Sequence, residues 1–157
     1  MIDKSKTVCF SGHRILSDSN AEIKDRLIAV ITDCIKDGIT NFIAGGALGF
    51  DTISEQAIIE LKNKYPFITL TLALPCPPEE QIERWKPNQQ IIYKQILNKA
   101  DEVQIISPHY INGCMQKRNR FMVDNSTKLI CYLRQNRGGT YYTVNYASKN
   151  NKIIIKI

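Results

Sequence analysis

The sequence predicts an α/β protein with a Rossmann-like three-layer sandwich, in which a mostly parallel central sheet of about six strands lies between helices. Two observations support this. Apolar patterns typical of strands alternate with patterns typical of helices along the whole chain. Strands that are separated by helices pair in parallel, because each helix carries the chain back across the sheet. The 157 residues are about the length of one domain, so we expect a single domain over 1–157.

Apolar runs bounded by turn residues predict the strands. They are expected at 7–10, 41–44, 68–74, 103–106, 129–133 and 152–157. A capping box, in which a Ser or Thr and a Glu three residues later bond each other's backbone, predicts helices that begin at Ser19 and Thr52. Further helices are expected through 91–97, over 114–124 and after Gly138.

Composition excludes several classes of protein. No apolar run approaches the roughly 20 residues of a membrane span, and the amino terminus does not resemble a secretory signal. The five cysteines are widely spaced and form no C-x-x-C pair, which disfavours a disulfide framework and a zinc site. We therefore expect a cytoplasmic protein without a metal, a cofactor or a membrane segment.

The formal net charge of +6 favours an anionic partner. The basic residues are spread along the chain, apart from the group Lys117, Arg118 and Arg120, and no nucleic-acid-binding motif accompanies them. The sequence therefore favours a small anionic ligand over nucleic acid.

Three strand-to-helix junctions are rich in small and polar residues. They contain Ser11, Gly12, His13 and Arg14; then Gly45, Gly46 and Asp51; then Gly138, Gly139 and Thr140. Glycine lets backbone N–H groups approach an oxyanion, and the start of a helix adds the positive end of its dipole. Because junctions of this kind meet at one edge of a parallel sheet, they predict a phosphate-binding site there. The alternative is that the glycines only permit tight turns.

Side chains at these junctions have two interpretations each. Arg14 is suited to bidentate contact with a phosphate, or is an exposed loop charge. A lone histidine such as His13 is more often a hydrogen-bonded structural residue than a general base. Asp51 is either the N-cap of its helix or part of the site.

The helix after the fourth strand carries Arg118 and Asn119 in its first turns, either as ligand contacts or as part of a solvated face. Asp124 in the same helix is interpreted as a structural or capping partner rather than a metal ligand. The single tryptophan, Trp85, either stacks on a bound base or packs over the sheet edge.

Two common nucleotide motifs are missing from the sequence. It contains neither G-x-x-x-x-G-K-[ST] nor the strict G-x-G-x-x-G. Interpretations as a P-loop ATPase or an NAD-dependent dehydrogenase therefore lose their main support.

The whole chain resembles the SLOG superfamily, which joins the DprA and Smf DNA-processing proteins to the LOG or lysine-decarboxylase-like proteins. Within it the chain is similar to the DUF1273 group of YpsA- and YoqJ-like proteins. The motifs that carry the resemblance lie at 11–14, 45–51, 81–85, 114–124 and 138–143. The resemblance implies a Rossmann-like fold, a nucleotide-type ligand and, by analogy with LOG-like relatives, a homodimer.

LOG enzymes cleave the N-glycosidic bond of nucleoside 5'-monophosphates with an arginine and a glutamate. Their arginine motif matches Arg118, whereas Thr143 occupies the position of the glutamate. A hydroxyl cannot replace a carboxylate that stabilises an oxocarbenium-like transition state. We therefore expect the chain to bind or sense a phosphate-bearing, nucleotide-derived ligand. The alternative is a phosphoribohydrolase-like enzyme, for which Arg118 and Asp51 are the catalytic candidates.

Overall fold

The computed structural model of the chain describes residues 2–157 and contains one six-stranded sheet. Its strands are β1 (Thr7–Gly12), β2 (Asn41–Ala44), β3 (Thr69–Leu74), β4 (Glu102–Ile105), β5 (Lys128–Tyr132) and β6 (Ile153–Lys156). Their spatial order is β4-β3-β2-β1-β5-β6, and every neighbouring pair is parallel. The predicted fold class is confirmed, with a sheet that is wholly rather than mostly parallel.

Helices cover both faces of the sheet. They are α1 (Asn20–Lys36), α2 (Phe50–Leu61), α3 (Pro78–Gln81), α4 (Pro87–Lys99), α5 (Cys114–Asp124) and α6 (Gly138–Lys149). Helices α1, α2 and α4 pack together on one face, and α5 packs against α6 on the other. The chain is thus a three-layer sandwich with a Rossmann-like topology.

An apolar cluster lies on each face of the sheet, between the strands and the helices that cover them. There are two clusters because successive strand residues point to opposite faces of a sheet. On β1, Val8 and Phe10 join the cluster under α1, α2 and α4, whereas Cys9 joins the cluster under α5 and α6. Strand β5 divides in the same way, with Ile130 on the first side and Leu129 on the second. These side chains are at most 1% exposed, which explains why the strands form continuous apolar runs in the sequence.

The start of α1 confirms Ser19 as its N-cap, since the Ser19 hydroxyl accepts a hydrogen bond from the backbone N–H of Glu22 at 3.2 Å. The reciprocal bond of a capping box, from the Ser19 backbone N–H to the Glu22 side chain, does not occur among residues 2–157. The capping box predicted at Thr52 is wrong. Helix α2 begins earlier because Gly49, with φ +78°, turns the chain into the helix. Thr52 therefore lies inside the first turn, where its hydroxyl donates to the carbonyl of Ala47 at 3.0 Å.

The strand order changes direction between β1 and β5. From β1 the chain moves outward through β2, β3 and β4, then returns to the other side of β1 to form β5 and β6. Ligands of open α/β sheets bind beyond the carboxyl ends of the strands at such a switch point. Within residues 2–157, no helix combines the length and apolar character that crossing a membrane requires.

Candidate functional site

A cavity of about 250 Å³ opens at the switch point, where β1 ends next to β5. Its walls come from the end of β1 and the residues after it, the start of α2, the first turns of α5 and the start of α6. We call it the anion cavity. Most of the residues predicted to bind a ligand line it, namely Ser11, Gly12, His13, Arg14, Asp51, Arg118, Asn119, Gly139 and Thr140.

Four residues predicted for the site do not line this cavity: Gly45, Gly46, Gly138 and Trp85. Gly45 is buried against Arg118, and a Cβ atom built on it would lie 2.7 Å from the guanidinium carbon. The N–H of Gly46 donates to the Glu55 carboxyl group at 2.9 Å. These two glycines lie behind the wall of the cavity and do not face a ligand. Arg118 covers Gly45, and Glu55 already accepts the N–H of Gly46.

Arg118 brings a buried positive charge to the anion cavity. The residue is 5% exposed, and its guanidinium donates to the carbonyl of Gly45 and, from Nε, to Asn119 Oδ1 at 2.8 Å. Its other contacts are the Ala73 carbonyl at 3.4 Å and the Met115 sulfur at 3.7 Å. All four partners are uncharged, and no ion pair joins Arg118 to a carboxylate within residues 2–157.

Burial lowers the pKa of Arg118, and the nearby Asp51 carboxylate opposes that shift. A guanidinium nevertheless stays protonated in proteins, so the charge remains inside the cavity. A buried charge without an ion-pair partner is costly, and an anion that enters the cavity would offset this cost.

Asp51 and Glu55 form a buried acidic pair at the cavity, and only Asp51 lines it. Asp51 lines it and accepts the backbone N–H of Ala47 at 3.2 Å, so this side chain is not the N-cap, a position that Gly49 holds. Burial raises the pKa of Asp51, although the Arg118 charge lowers it in part. Burial and the Asp51 charge raise the pKa of Glu55 well above its usual value. Both carboxyl groups therefore hold a proton more tightly than an exposed carboxyl group.

His13 lines the cavity, and the Nε2 atom of its ring is already engaged. The backbone N–H of Arg134 donates to Nε2 at 2.9 Å, so Nε2 acts as an acceptor. Burial, and then the Arg134 charge, lower the pKa of His13. A neutral ring in this state carries its proton on Nδ1, which makes His13 a hydrogen-bond donor rather than a general base acting through Nε2.

The start of α6 contributes backbone donors. Among residues 2–157, no side chain caps this helix, and a Cβ built on Gly139 would meet no atom within 4 Å. Thr143, one turn further on, is 1% exposed and its hydroxyl donates to the Gly139 carbonyl at 2.8 Å. Thr143 therefore turns back into its own helix and does not line the cavity.

The remaining candidates divide between the cavity and the scaffold. Arg14 is exposed at the mouth and makes no hydrogen bond or ion pair with any residue that the structure describes. Asp124 accepts the Tyr146 hydroxyl at 2.7 Å, which fits the structural role predicted for it. No group of three or more acidic, His or Cys side chains suited to a metal occurs among residues 2–157.

Sequence reasoning missed two sulfur-containing neighbours, Met115 and Met122, which line the cavity on α5. They lie three residues before and four residues after Arg118, on the same face of the helix. Helical spacing around Arg118 was thus the signal that could have identified them.

Comparisons with known proteins agree with this architecture. The model of the YspA SLOG family, YpsA, matches residues 16–155. The SPbeta prophage-derived protein YoqJ of Bacillus subtilis (strain 168) is 34% identical over 141 residues, which cover 82% of this chain and 81% of YoqJ.

Two solved structures of DNA processing protein A share the fold. The protein from Streptococcus pneumoniae superposes with a TM-score of 0.70 at 16% identity, over 98% of this chain and 50% of that one. The protein from Helicobacter pylori, whose structure concerns single-stranded DNA binding, gives a TM-score of 0.66 at 20% identity, over 98% of this chain and 65% of that one. This chain thus spans half of the S. pneumoniae protein and about two thirds of the H. pylori protein. At such low identities the likeness shows a shared fold alone.

The match to the family model extends over most of the chain, and it agrees with the parallel sheet and with the motifs around the anion cavity. The chain therefore belongs to the YspA SLOG family.

Proposed function

We propose that the protein binds a phosphate-bearing, nucleotide-type small molecule in the anion cavity, as a binding or sensing module. The observation that carries this proposal is the buried Arg118 guanidinium, which lines the cavity and has only uncharged hydrogen-bond partners within residues 2–157. A phosphate oxygen is a suitable partner for its remaining donor capacity, because charge-assisted hydrogen bonds of this kind are the strong ones.

Three further groups support an anionic ligand. The uncapped start of α6 provides backbone N–H groups and the positive end of a helix dipole. Arg14 adds an exposed guanidinium at the mouth, and the Nδ1 proton of His13 adds a neutral donor. The net charge of +6 raises the local concentration of anions around all of them.

Calorimetric titration with ADP-ribose and nucleoside monophosphates tests the proposal. We expect saturable binding by at least one of them, and a loss of about tenfold to a hundredfold in affinity for Arg118→Lys, because a hydrogen bond between charged groups contributes about 1.5–3 kcal/mol. The matched control is Arg120→Lys on the same helix, whose guanidinium contacts the Tyr142 hydroxyl at 3.1 Å outside the cavity.

Because Arg118 is buried, its substitution could weaken binding by unfolding the protein, and a second variant at an exposed residue distinguishes the two effects. Arg14 is exposed, and Arg14→Ala should keep the wild-type melting temperature while weakening binding several-fold. If none of these nucleotides bound, or if both arginine variants bound as well as the wild type, the proposal would be wrong.

One observation favours a second candidate, a phosphoribohydrolase-like activity. Asp51 lines the cavity beside Arg118, and burial raises its pKa, which suits a carboxyl group that donates a proton to a leaving base. Chromatography after incubation with a nucleoside monophosphate should then show free base from the wild type and none from Asp51→Asn. If the wild-type protein binds the nucleotide but releases no base, the hydrolase candidate is wrong and binding is the function.

A further inference from the structure

A second open space adjoins the anion cavity, and the proposed function makes no use of it. This groove has a volume of about 570 Å³, and Arg14 and Met115 line both spaces. Its wall continues beyond them through an exposed loop and the segment after α3, where it includes Trp85, Tyr110, Glu83 and Arg84. We call it the aromatic groove.

Trp85 is held firmly in the wall of the groove. Its ring packs edge-on against Tyr93, with centroids 5.4 Å apart and planes at 88°. Its backbone N–H donates to the Ile82 carbonyl at 2.9 Å, and its own carbonyl accepts the Gln90 side chain at 3.1 Å. An aromatic ring held in this way loses little conformational entropy when a ligand stacks on it.

Tyr110 supplies a second aromatic side chain to the groove. One oxygen of Glu80 accepts the backbone N–H of Tyr110 at 2.6 Å, and the other contacts the ring of His109 at 2.9 Å. The loop is thus tied to α3, while the Tyr110 residue remains 59% exposed. Its phenol forms no hydrogen bond with any residue in the described part of the chain.

The volume of the anion cavity indicates that a nucleotide bound there extends into the neighbouring groove. Sites for small ligands usually measure about 300–1,000 Å³, so a cavity of about 250 Å³ is small for a whole nucleotide. A ligand whose phosphate contacts Arg118 must extend beyond the cavity, and the groove next to it offers aromatic rings and a thioether. The exposed Glu83 and Arg84 add an acceptor and a donor for the polar edge of a heteroaromatic ring.

We propose that the aromatic groove is the base subsite of the same ligand, so that the protein recognises nucleotides by stacking the base against Trp85 and Tyr110 while the phosphate lies at Arg118. This inference rests on the proposed function, because it takes the phosphate position from it.

Titration with adenosine 5'-monophosphate and with ribose 5-phosphate, which lacks the base, tests this subsite. Stacking on an aromatic side chain contributes roughly tenfold to a hundredfold in affinity per base, so the nucleotide should bind that much more tightly than the sugar phosphate. Tyr110→Ala should remove most of this ratio and leave the affinity for ribose 5-phosphate unchanged. Tyr110→Phe keeps the ring and should keep the ratio, and Tyr142→Ala, an exposed tyrosine on α6 outside both spaces, serves as the matched control.

Fluorescence provides an independent readout, because Trp85 is the single tryptophan of the chain. Adenosine 5'-monophosphate should change its emission and ribose 5-phosphate should not, after correction with free tryptophan for light absorbed by the base. In Arg118→Lys the same change should require a higher nucleotide concentration.

The outcomes separate the two proposals. If both compounds bind with equal affinity, or if Tyr110→Ala leaves their ratio intact and Trp85 emission does not respond, the base subsite is wrong and the proposed function stands. If the sugar phosphate and the nucleotide both fail to bind, the phosphate site and the base subsite fall together.

Discussion

At the scale of single residues, Gly45 illustrates how a small side chain supports a charged one. A Cβ atom at this position would lie 2.7 Å from the guanidinium carbon of Arg118 and 2.9 Å from a carboxyl oxygen of Asp51. The missing side chain therefore gives Arg118 the space to reach the Gly45 carbonyl. The glycine serves the site through packing, although its backbone does not face the ligand space.

Gly45→Ala should consequently displace the Arg118 side chain. We expect a loss of about 1–3 kcal/mol in the free energy of unfolding, the usual cost of overpacking, together with weaker nucleotide binding. Chemical denaturation and calorimetric titration measure the two effects. Gly139→Ala, whose added methyl group would meet no atom within 4 Å, is the control for stability. Wild-type stability and affinity in Gly45→Ala would contradict this packing.

At the scale of elements, helices α1 and α6 begin in contrasting ways. The Ser19 hydroxyl caps α1, which lies against the sheet through Ile23, Leu27 and Ile31. In the described part of the chain no side chain caps α6, whose start lines the anion cavity. The first N–H groups of α6 therefore lack a side-chain partner within residues 2–157 at the wall of the cavity, where a ligand oxygen would satisfy them.

Ser19→Ala should therefore reduce stability without affecting binding. Loss of an N-cap costs about 1 kcal/mol, which corresponds to a melting temperature lower by roughly 2–4 °C in a domain of this size. Thermal unfolding followed by circular dichroism measures the change. Ser148→Ala, at an exposed position inside α6, involves the same chemical change and should not lower the melting temperature. Equal effects of the two substitutions would refute the capping role of Ser19.

At the scale of the whole molecule, a buried acidic pair next to Arg118 links the site to global stability. Burial and the Asp51 charge raise the pKa of Glu55, so the folded protein binds a proton more tightly than the unfolded chain does. The free energy of unfolding must then fall as pH rises from the pKa of an unfolded glutamate, about 4.3, towards the higher pKa of the folded state.

Glu55→Gln should remove this part of the pH dependence. Glutamine retains an oxygen that can accept the Gly46 N–H, which lies 2.9 Å from the carboxyl oxygen of Glu55, and carries no charge to bury. The variant should be more stable than the wild type at neutral pH, and the difference should shrink as pH falls towards 4. Denaturation curves at several pH values provide the measurement, with Glu102→Gln at an exposed position of β4 as control. A stability difference that did not depend on pH would rule out the raised pKa.

Local sequence patterns were sufficient to predict a parallel sheet, the succession of strands and helices along the chain, the cap at Ser19 and the junctions at the carboxyl edge. Apolar periodicity and caps depend on residues only a few positions apart. Local patterns also singled out Arg118, Asp51 and His13. Only the tertiary structure decided that Gly45 and Gly46 lie behind the anion cavity and that Trp85 faces a separate groove. The reason is distance along the chain: Arg118 meets the Gly45 carbonyl across 73 positions, and no local pattern records a contact of that range.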